Sequence, residues 1–283
     1  MEDRNDARSF FRRFRAHRLA LASLIALCLI VLTVLVLPLV LDLDPYAISG
    51  AVKSPPSSGH VLGTDDVGRD VFARVVYGGR VSLAVAVFVP LISVAIGLPL
   101  GLLAGYYRGV VEMVILRIAD IFMSFPAIIL IIVVMSILEP TVPLVILVIG
   151  IVNWPSTAKL VYGNVISVRK MDYVEAARAS GLRDRVIIWR YVLPNSVTPV
   201  WVQMAFSACH AVMTEASLSF LGAGVKPPTA TWGNIIYAAQ NVTVLARNPW
   251  IWLPPGILLM LTVISINFIG EGIRDALDPR LKR

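Results

Sequence analysis

Charge is what this chain has least of. Asp, Glu, Lys and Arg make up 15% of its 283 residues, against about 25% in an ordinary soluble domain. Histidine occurs three times, as His17, His60 and His210, too scattered to form a His-Glu-x-x-His metal pair. The two cysteines, Cys28 and Cys209, each sit alone in an apolar run, which excludes a disulfide framework and a zinc-finger spacing. No Lys follows a Gly anywhere, so there is no Gly-x-x-x-x-Gly-Lys-Ser/Thr phosphate loop. With no nucleotide loop and no convergent catalytic set, the chain reads as a non-enzyme.

What fills the space is hydrocarbon. Hydrophobic residues reach 57% and mean hydropathy is +0.78. A bilayer span needs about 20 mostly apolar residues, and six runs qualify: 19–41, 81–105, 110–138, 143–162, 198–221 and 250–270. The expected fold class is therefore an all-α membrane protein of six transmembrane helices. Arg8, Arg12, Arg13, Arg15 and Arg18 precede the first run. That run is too long for a signal-peptide core and has no small-residue cleavage site after it.

Lys and Arg near span ends set orientation. Residues 1–18, 106–109, 163–197 and 271–283 carry 17 of them, and 42–80, 139–142 and 223–249 carry 6. The first set, with both termini, is expected on the cytoplasmic side. The net charge of +7 is thereby a matter of topology, and no nucleic acid partner is needed. The chain divides into a cytoplasmic tail (1–18), a first span (19–41), an external segment (42–80), a core of five spans (81–270) interrupted by a cytoplasmic loop (163–197), and a cytoplasmic tail (271–283).

Gly97, Gly101, Gly105 and Gly109 recur at every fourth residue. Such a face lets membrane helices approach closely, either within the chain or against a second subunit. Arg117 and Asp120 are spaced to pair on one helix face, and Lys159 near a span end can snorkel. Glu215 lies well inside the fifth run, where a charge is expected to face a cavity or a partner. Trp232, Asn234 and Trp250 fall where an aromatic belt is expected.

The loop at 172–194 is polar between apolar spans. Asp172 suits an N-cap and Glu175 the third position of a capping box. Ala176, Ala177 and Ala179 favour helix, and Gly181 suits a left-handed C-terminal turn. A second helix is expected over 184–192, ended by Leu193-Pro194, with Val186, Ile187, Trp189 and Val192 along the membrane interface. A DNA-binding helix-turn-helix has a similar outline, but spans bracket this hairpin on both sides.

These residues resemble the EAA loop of bacterial ABC-importer permeases, in Glu175, Ala176, Ala177, Gly181, Leu193 and Pro194. Residues 62–70, Glu215–Gly222, Gly224–Pro228, Trp232-Gly233-Asn234 and Arg274–Arg280 are similar to the C-type permeases of dipeptide and oligopeptide importers. Tyr191 departs from the pattern, where Ile is usual. The resemblance implies an importer in the bacterial inner membrane. It implies a homologous B-type permease, two ATPase subunits that carry ATP and Mg, and an extracytoplasmic substrate-binding protein, all around a lipid-embedded chain that holds no cofactor.

It further implies that Asp172, Glu175, Ala176, Ala177, Gly181, Leu193 and Pro194 form the ATPase-coupling contact. Glu175 either completes the capping box or pairs with a basic residue of the docked subunit. Asp65, Gly68, Arg69 and Asp70 are expected to serve gating or binding-protein contact, or to form a turn held by Asp–Arg pairing. Glu215 either binds the amino end of a peptide or holds the two permeases together. The same machinery importing a nickel chelate or haem is the neighbouring alternative. A self-sufficient ion-coupled transporter would need an internal inverted repeat, and none is evident.

Overall fold

A computed structural model describes residues 12–277; residues 1–11 and 278–283, which hold most of the expected basic tails, lie outside the described residues. Within them the chain is helical: α1 (Arg18–Val40), α2 (Val71–Tyr107), α3 (Gly109–Ser124), α4 (Ala127–Ile137), α5 (Val142–Arg169), α6 (Asp172–Ala179), α7 (Asp184–Ile187), α8 (Leu193–Ser196), α9 (Thr198–Phe220), α10 (Trp232–Ile236), α11 (Val242–Arg247) and α12 (Pro249–Leu277). Among the described residues β pairing is confined to two isolated bridges, Ile48 with Arg69 and Thr64 with Asp70. Four helices, α1, α2, α5 and α12, are long and apolar enough to cross a membrane.

The helix α2 organises the bundle. Its 37 residues extend about 55 Å at 1.5 Å per residue, well beyond the roughly 30 Å of a bilayer's hydrocarbon. The apolar run at 81–105 is therefore only the middle of a longer helix. Asp70 starts it ten residues earlier by accepting from the Ala73 N–H at 2.8 Å.

The glycine stripe sits on α2 where it meets α5. A Cβ on Gly97 would lie 2.7 Å from the Thr157 Cβ and the Trp154 carbonyl, and one on Gly105 would lie 2.7 Å from the Val165 Cβ. Gly101 is blocked by the Ala158 carbonyl in the same way. Packing within the chain is thus the role of these three. Gly109 is not on the seam: α2 ends at Tyr107, and Gly109 stands in the left-handed turn (φ 59°) with nothing near its missing Cβ.

One run and one charge pair differ from expectation. The third run, 110–138, is not one helix: α3 and α4 meet at an 83° bend. Pro126 explains it, since it has no N–H to continue the ladder and pushes Phe125 to an extended conformation (ψ 142°). Asp120 pairs not with Arg117 but with Lys159 of α5, which donates at 2.7 Å.

Helix α1 shows how a second proline is accommodated. Pro38 offers no N–H to the Val34 carbonyl one turn back. Arg80 of α2 supplies the donor, with Nε 3.1 Å from the Val34 oxygen and Nη2 3.2 Å from that of Leu35. Placing a valine at position 97 should force the α2–α5 seam apart at a cost of about 1–3 kcal/mol. Thermal unfolding in detergent should show Gly97→Val melting several degrees below Gly163→Val, whose added atoms meet nothing.

Candidate functional site

The polar loop folds as a helical hairpin on the end of the bundle where α2 finishes. Met171 is the N-cap of α6, and Asp172 is its first helical residue, so the expected capping box does not form. Asp172 and Glu175 both stand in the first turn, where carboxylates suit the positive end of the helix dipole. Neither is engaged with the helix N-terminus through a side-chain bond.

The other end is as expected. Gly181 has φ +74°, its N–H donates to the Arg178 carbonyl at 3.0 Å, and the Leu182 N–H donates to the Ala177 carbonyl at 3.3 Å. This is the Schellman arrangement. No atom lies within 4 Å of where a Cβ would be, so Gly181 serves backbone conformation and not space.

Burial divides the hairpin in two. Val174, Ala177, Ile187, Ile188 and Val192 are buried together with Leu102, Val161 and Val165. Asp172, Glu175, Ala176, Gly181 and Pro194 are exposed. The alanine pair is therefore split, with Ala177 facing the bundle and Ala176 facing out. The four residues expected along the membrane interface are split as well: Ile187 and Val192 lie in the core, while Val186 and Trp189 are exposed.

Leu193-Pro194 does not end the second helix. A π turn at Ile188–Val192 hands the chain to α8, with Pro194 in its opening turn, where a missing N–H costs nothing. The Asn195 side chain donates to the Tyr191 carbonyl at 2.7 Å.

Tyr106 is the residue that sequence reasoning missed. Its hydroxyl donates to Asp184 Oδ1 at 2.6 Å, and Arg169 and Arg178 lie over its ring at 6.0 and 5.6 Å. It fastens the hairpin to the end of α2. A tyrosine at the close of an apolar run reads as an interfacial anchor, and no local signal tied it to residue 184.

At the far end of α2, residues 63–70 form a tight, charge-filled turn. Asp65 is 3% exposed and its carboxylate accepts from the N–H groups of Val67 and Arg69 at 2.9 Å. It also accepts from Arg69 Nε at 2.8 Å and stands 3.4 Å from Arg74 Nε. Gly68 has φ +91°, and a Cβ there would be 2.5 Å from the Gly50 carbonyl. Asp70 accepts from its own helix and lies 2.8 Å from His60 Nδ1. The turn borders a cavity of about 460 Å³ lined in part by Lys53, Asp66, Arg69, Arg74 and Asn241.

Glu215 stands elsewhere. It is 0% exposed, enclosed by this chain's own atoms, and so faces neither an open cavity nor a surface for another subunit. Ser219 Oγ donates to it at 2.8 Å and Ser82 Oγ at 3.4 Å. Ser82 also accepts from the Trp232 N–H at 3.3 Å, and the Trp232 indole donates to the Val75 carbonyl at 3.0 Å. Trp232 is buried core and not part of an aromatic belt. Asn234 completes a capping box with Thr231. Glu215 thus joins α2 and α9 to the start of α10.

The model for binding-protein-dependent transport system inner membrane components matches residues 97–283. The chain belongs to that family. The permease also matches, over residues 7–56, the N-terminal TM domain of oligopeptide transport permease C. It is 39% identical over 277 residues to the glutathione transport system permease protein GsiD of Pectobacterium atrosepticum, covering 97% of this chain and 91% of that one. It is equally 39% identical to the dipeptide transport system permease protein DppC of Alkalihalophilus pseudofirmus, covering 97% and 90%.

Among solved structures, an inward-facing MetNI methionine ABC transporter shares the fold with a TM-score of 0.62 at 21% identity. That likeness covers 73% of this chain and 98% of the other. The permease is thus an integral membrane subunit of an ABC importer.

Two outcomes follow from the geometry. Gly181→Val should cost about 1–2 kcal/mol through the left-handed backbone and Gly181→Asn much less; faster amide exchange at residues 181 and 182 in the valine variant alone is the expected readout. Asp65→Asn should cost about 3–5 kcal/mol, because it leaves two guanidinium groups without their shared carboxylate. A lowered melting temperature of the purified permease checks it.

Proposed function

We propose that this permease forms half of the translocation pathway of an ATP-driven, binding-protein-dependent importer of di- and oligopeptides. The observation that carries the reading is full-length likeness to relatives named for glutathione and dipeptide transport. The bent α3–α4 pair counts as one span, and α9 supplies another beside α1, α2, α5 and α12, giving six. The excess of Lys and Arg at the hairpin end puts that end and both termini in the cytoplasm of a bacterial inner membrane.

In this reading a homologous B-type permease completes the pathway, and two ATPase subunits bind below. The chain itself carries no cofactor; ATP and Mg belong to the ATPases. The exposed Asp172, Glu175, Ala176, Gly181 and Pro194 meet the ATPase, while Ala177 and the half-buried Leu193 root the hairpin in the bundle. The Tyr106–Asp184 bond makes α2 the element that moves with the hairpin. Nucleotide binding then selects between two packings of the spans. At the external end, the turn of Asp65, Gly68, Arg69 and Asp70 holds the α2 terminus and its bordering cavity in shape for the substrate-binding protein. Glu215 acts by tying that end together, in place of the two roles expected for it.

The test is uptake into liposomes by the assembled importer, with a mixture of di- to hexapeptides offered and the contents identified by mass spectrometry. ATP-dependent peptide entry is expected. Stimulated ATP turnover with no peptide inside would keep the importer and change its solute. Glu175→Ala should weaken ATPase association at least tenfold, about 1.4 kcal/mol, with the permease pair intact; unchanged association would remove Glu175 from the contact.

A further inference from the structure

The helix α9 carries a polar stripe without Asp, Glu, Lys or Arg. Gln203, Ser207, His210, Thr214 and Ser217 follow one another at intervals of four, three, four and three residues, which places them on one helix face. Asn153 and Ser156 of α5 stand beside that face, and the two helices border adjoining cavities of about 240 and 260 Å³, the first also lined by Ala127, Ile128 and Ile131 of α4. Asn153 and His210 line both cavities, and each falls near the middle of its helix. No Asp, Glu, Lys or Arg lines either one.

Polar side chains at mid-membrane depth are costly against lipid and mark a water-filled or partnered face. Substrate sites in membrane transporters also lie near the midplane.

The hydrogen bonds specify what the wall offers. Thr214 Oγ1 donates to the His210 carbonyl at 2.8 Å, and Ser217 Oγ to the Met213 carbonyl at 2.8 Å. Asn153 Nδ2 donates to the Ile149 carbonyl at 2.9 Å. Thr214 Oγ1 also lies 3.4 Å from His210 Nδ1, and Asn153 keeps its carbonyl oxygen and a second N–H.

We infer that the α5–α9 face lines the solute pathway and hydrogen-bonds the main-chain groups of a peptide. This rests on the importer reading given above. A wall of amide, hydroxyl and imidazole groups without Asp, Glu, Lys or Arg offers both donors and acceptors, which match the N–H and C=O groups of a main chain. Main-chain groups are what all peptides share, so the site fits a pathway whose selectivity is set elsewhere.

Cysteine substitution tests it in the complete importer. In a Cys28→Ala, Cys209→Ala background, Ser207→Cys and Thr214→Cys are compared with Trp201→Cys, which is exposed on the opposite face of α9. A charged, membrane-impermeant thiol reagent should modify positions 207 and 214 at least tenfold faster than 201 and should lower uptake at least tenfold. Equal rates, or modification without loss of uptake, would overturn the proposal.

Independently of that background, the Gln203→Leu, Thr214→Val pair should reduce peptide uptake at least tenfold while ATP turnover stimulated by the binding protein persists. Full uptake by that pair would sink the peptide-binding role. If the unmodified importer moves no peptide, the peptide reading fails by itself, and the labelling rates still decide whether this face is the pathway.

Discussion

The seam between α2 and α5 is the contact on which the rest of the bundle depends. Gly97, Gly101 and Gly105 let one helix lie directly on the backbone of the other, so close that a methyl group at position 97 or 105 would fall 2.7 Å from its neighbours. In a bilayer there is little hydrophobic gain in bringing helices together, so association relies on close van der Waals contact and on polar bonds. α2 is also the element that reaches both ends. It begins at the charge-filled turn around Asp65 and ends at Tyr106 under the hairpin, so a displacement of the hairpin has a stiff route through the bundle.

The same solvent explains how the chain handles its interruptions. A backbone carbonyl without a donor is expensive in hydrocarbon, and two of the interruptions have a local remedy. Arg80 donates to the carbonyl left open by Pro38. Asn195 bonds a carbonyl beside the π turn. The charged groups follow the same rule. Asp65 satisfies two arginines at once, and Glu215 is held by hydroxyls of two helices. These polar groups fix how elements meet. The polar face of α9 is the one proposed as the pathway.

The spans and the hairpin were legible because their signals are local. Long apolar runs located the long apolar helices, with α2 beginning ten residues before its run and α5 and α12 ending seven residues after theirs. The left-handed turn at Gly181 followed from the residue type, since a glycine after an alanine-rich helix is suited to that backbone. The capping box was misread because Asp172 occupies the first helical position and Met171 the cap, a shift of one residue that spacing alone does not detect. Phe125-Pro126 was passed over because the apolar run continues through it.

Sequence by itself determined what each segment is made for: which stretches belong in lipid, which end carries positive charge, and which loop is built as a capped hairpin. Those properties depend on transfer energies and backbone preferences of residues adjacent in the chain. Tertiary structure alone decided partnership. Trp232 reads as an interfacial aromatic until it is enclosed by α1, α2 and α12, Glu215 reads as a pathway charge until Ser82 arrives from 133 positions away, and Ala177 separates from Ala176 only when one side of α6 meets the bundle. Which face of a helix is covered, and by what, depends on contacts between residues far apart in sequence, and no local pattern encodes them.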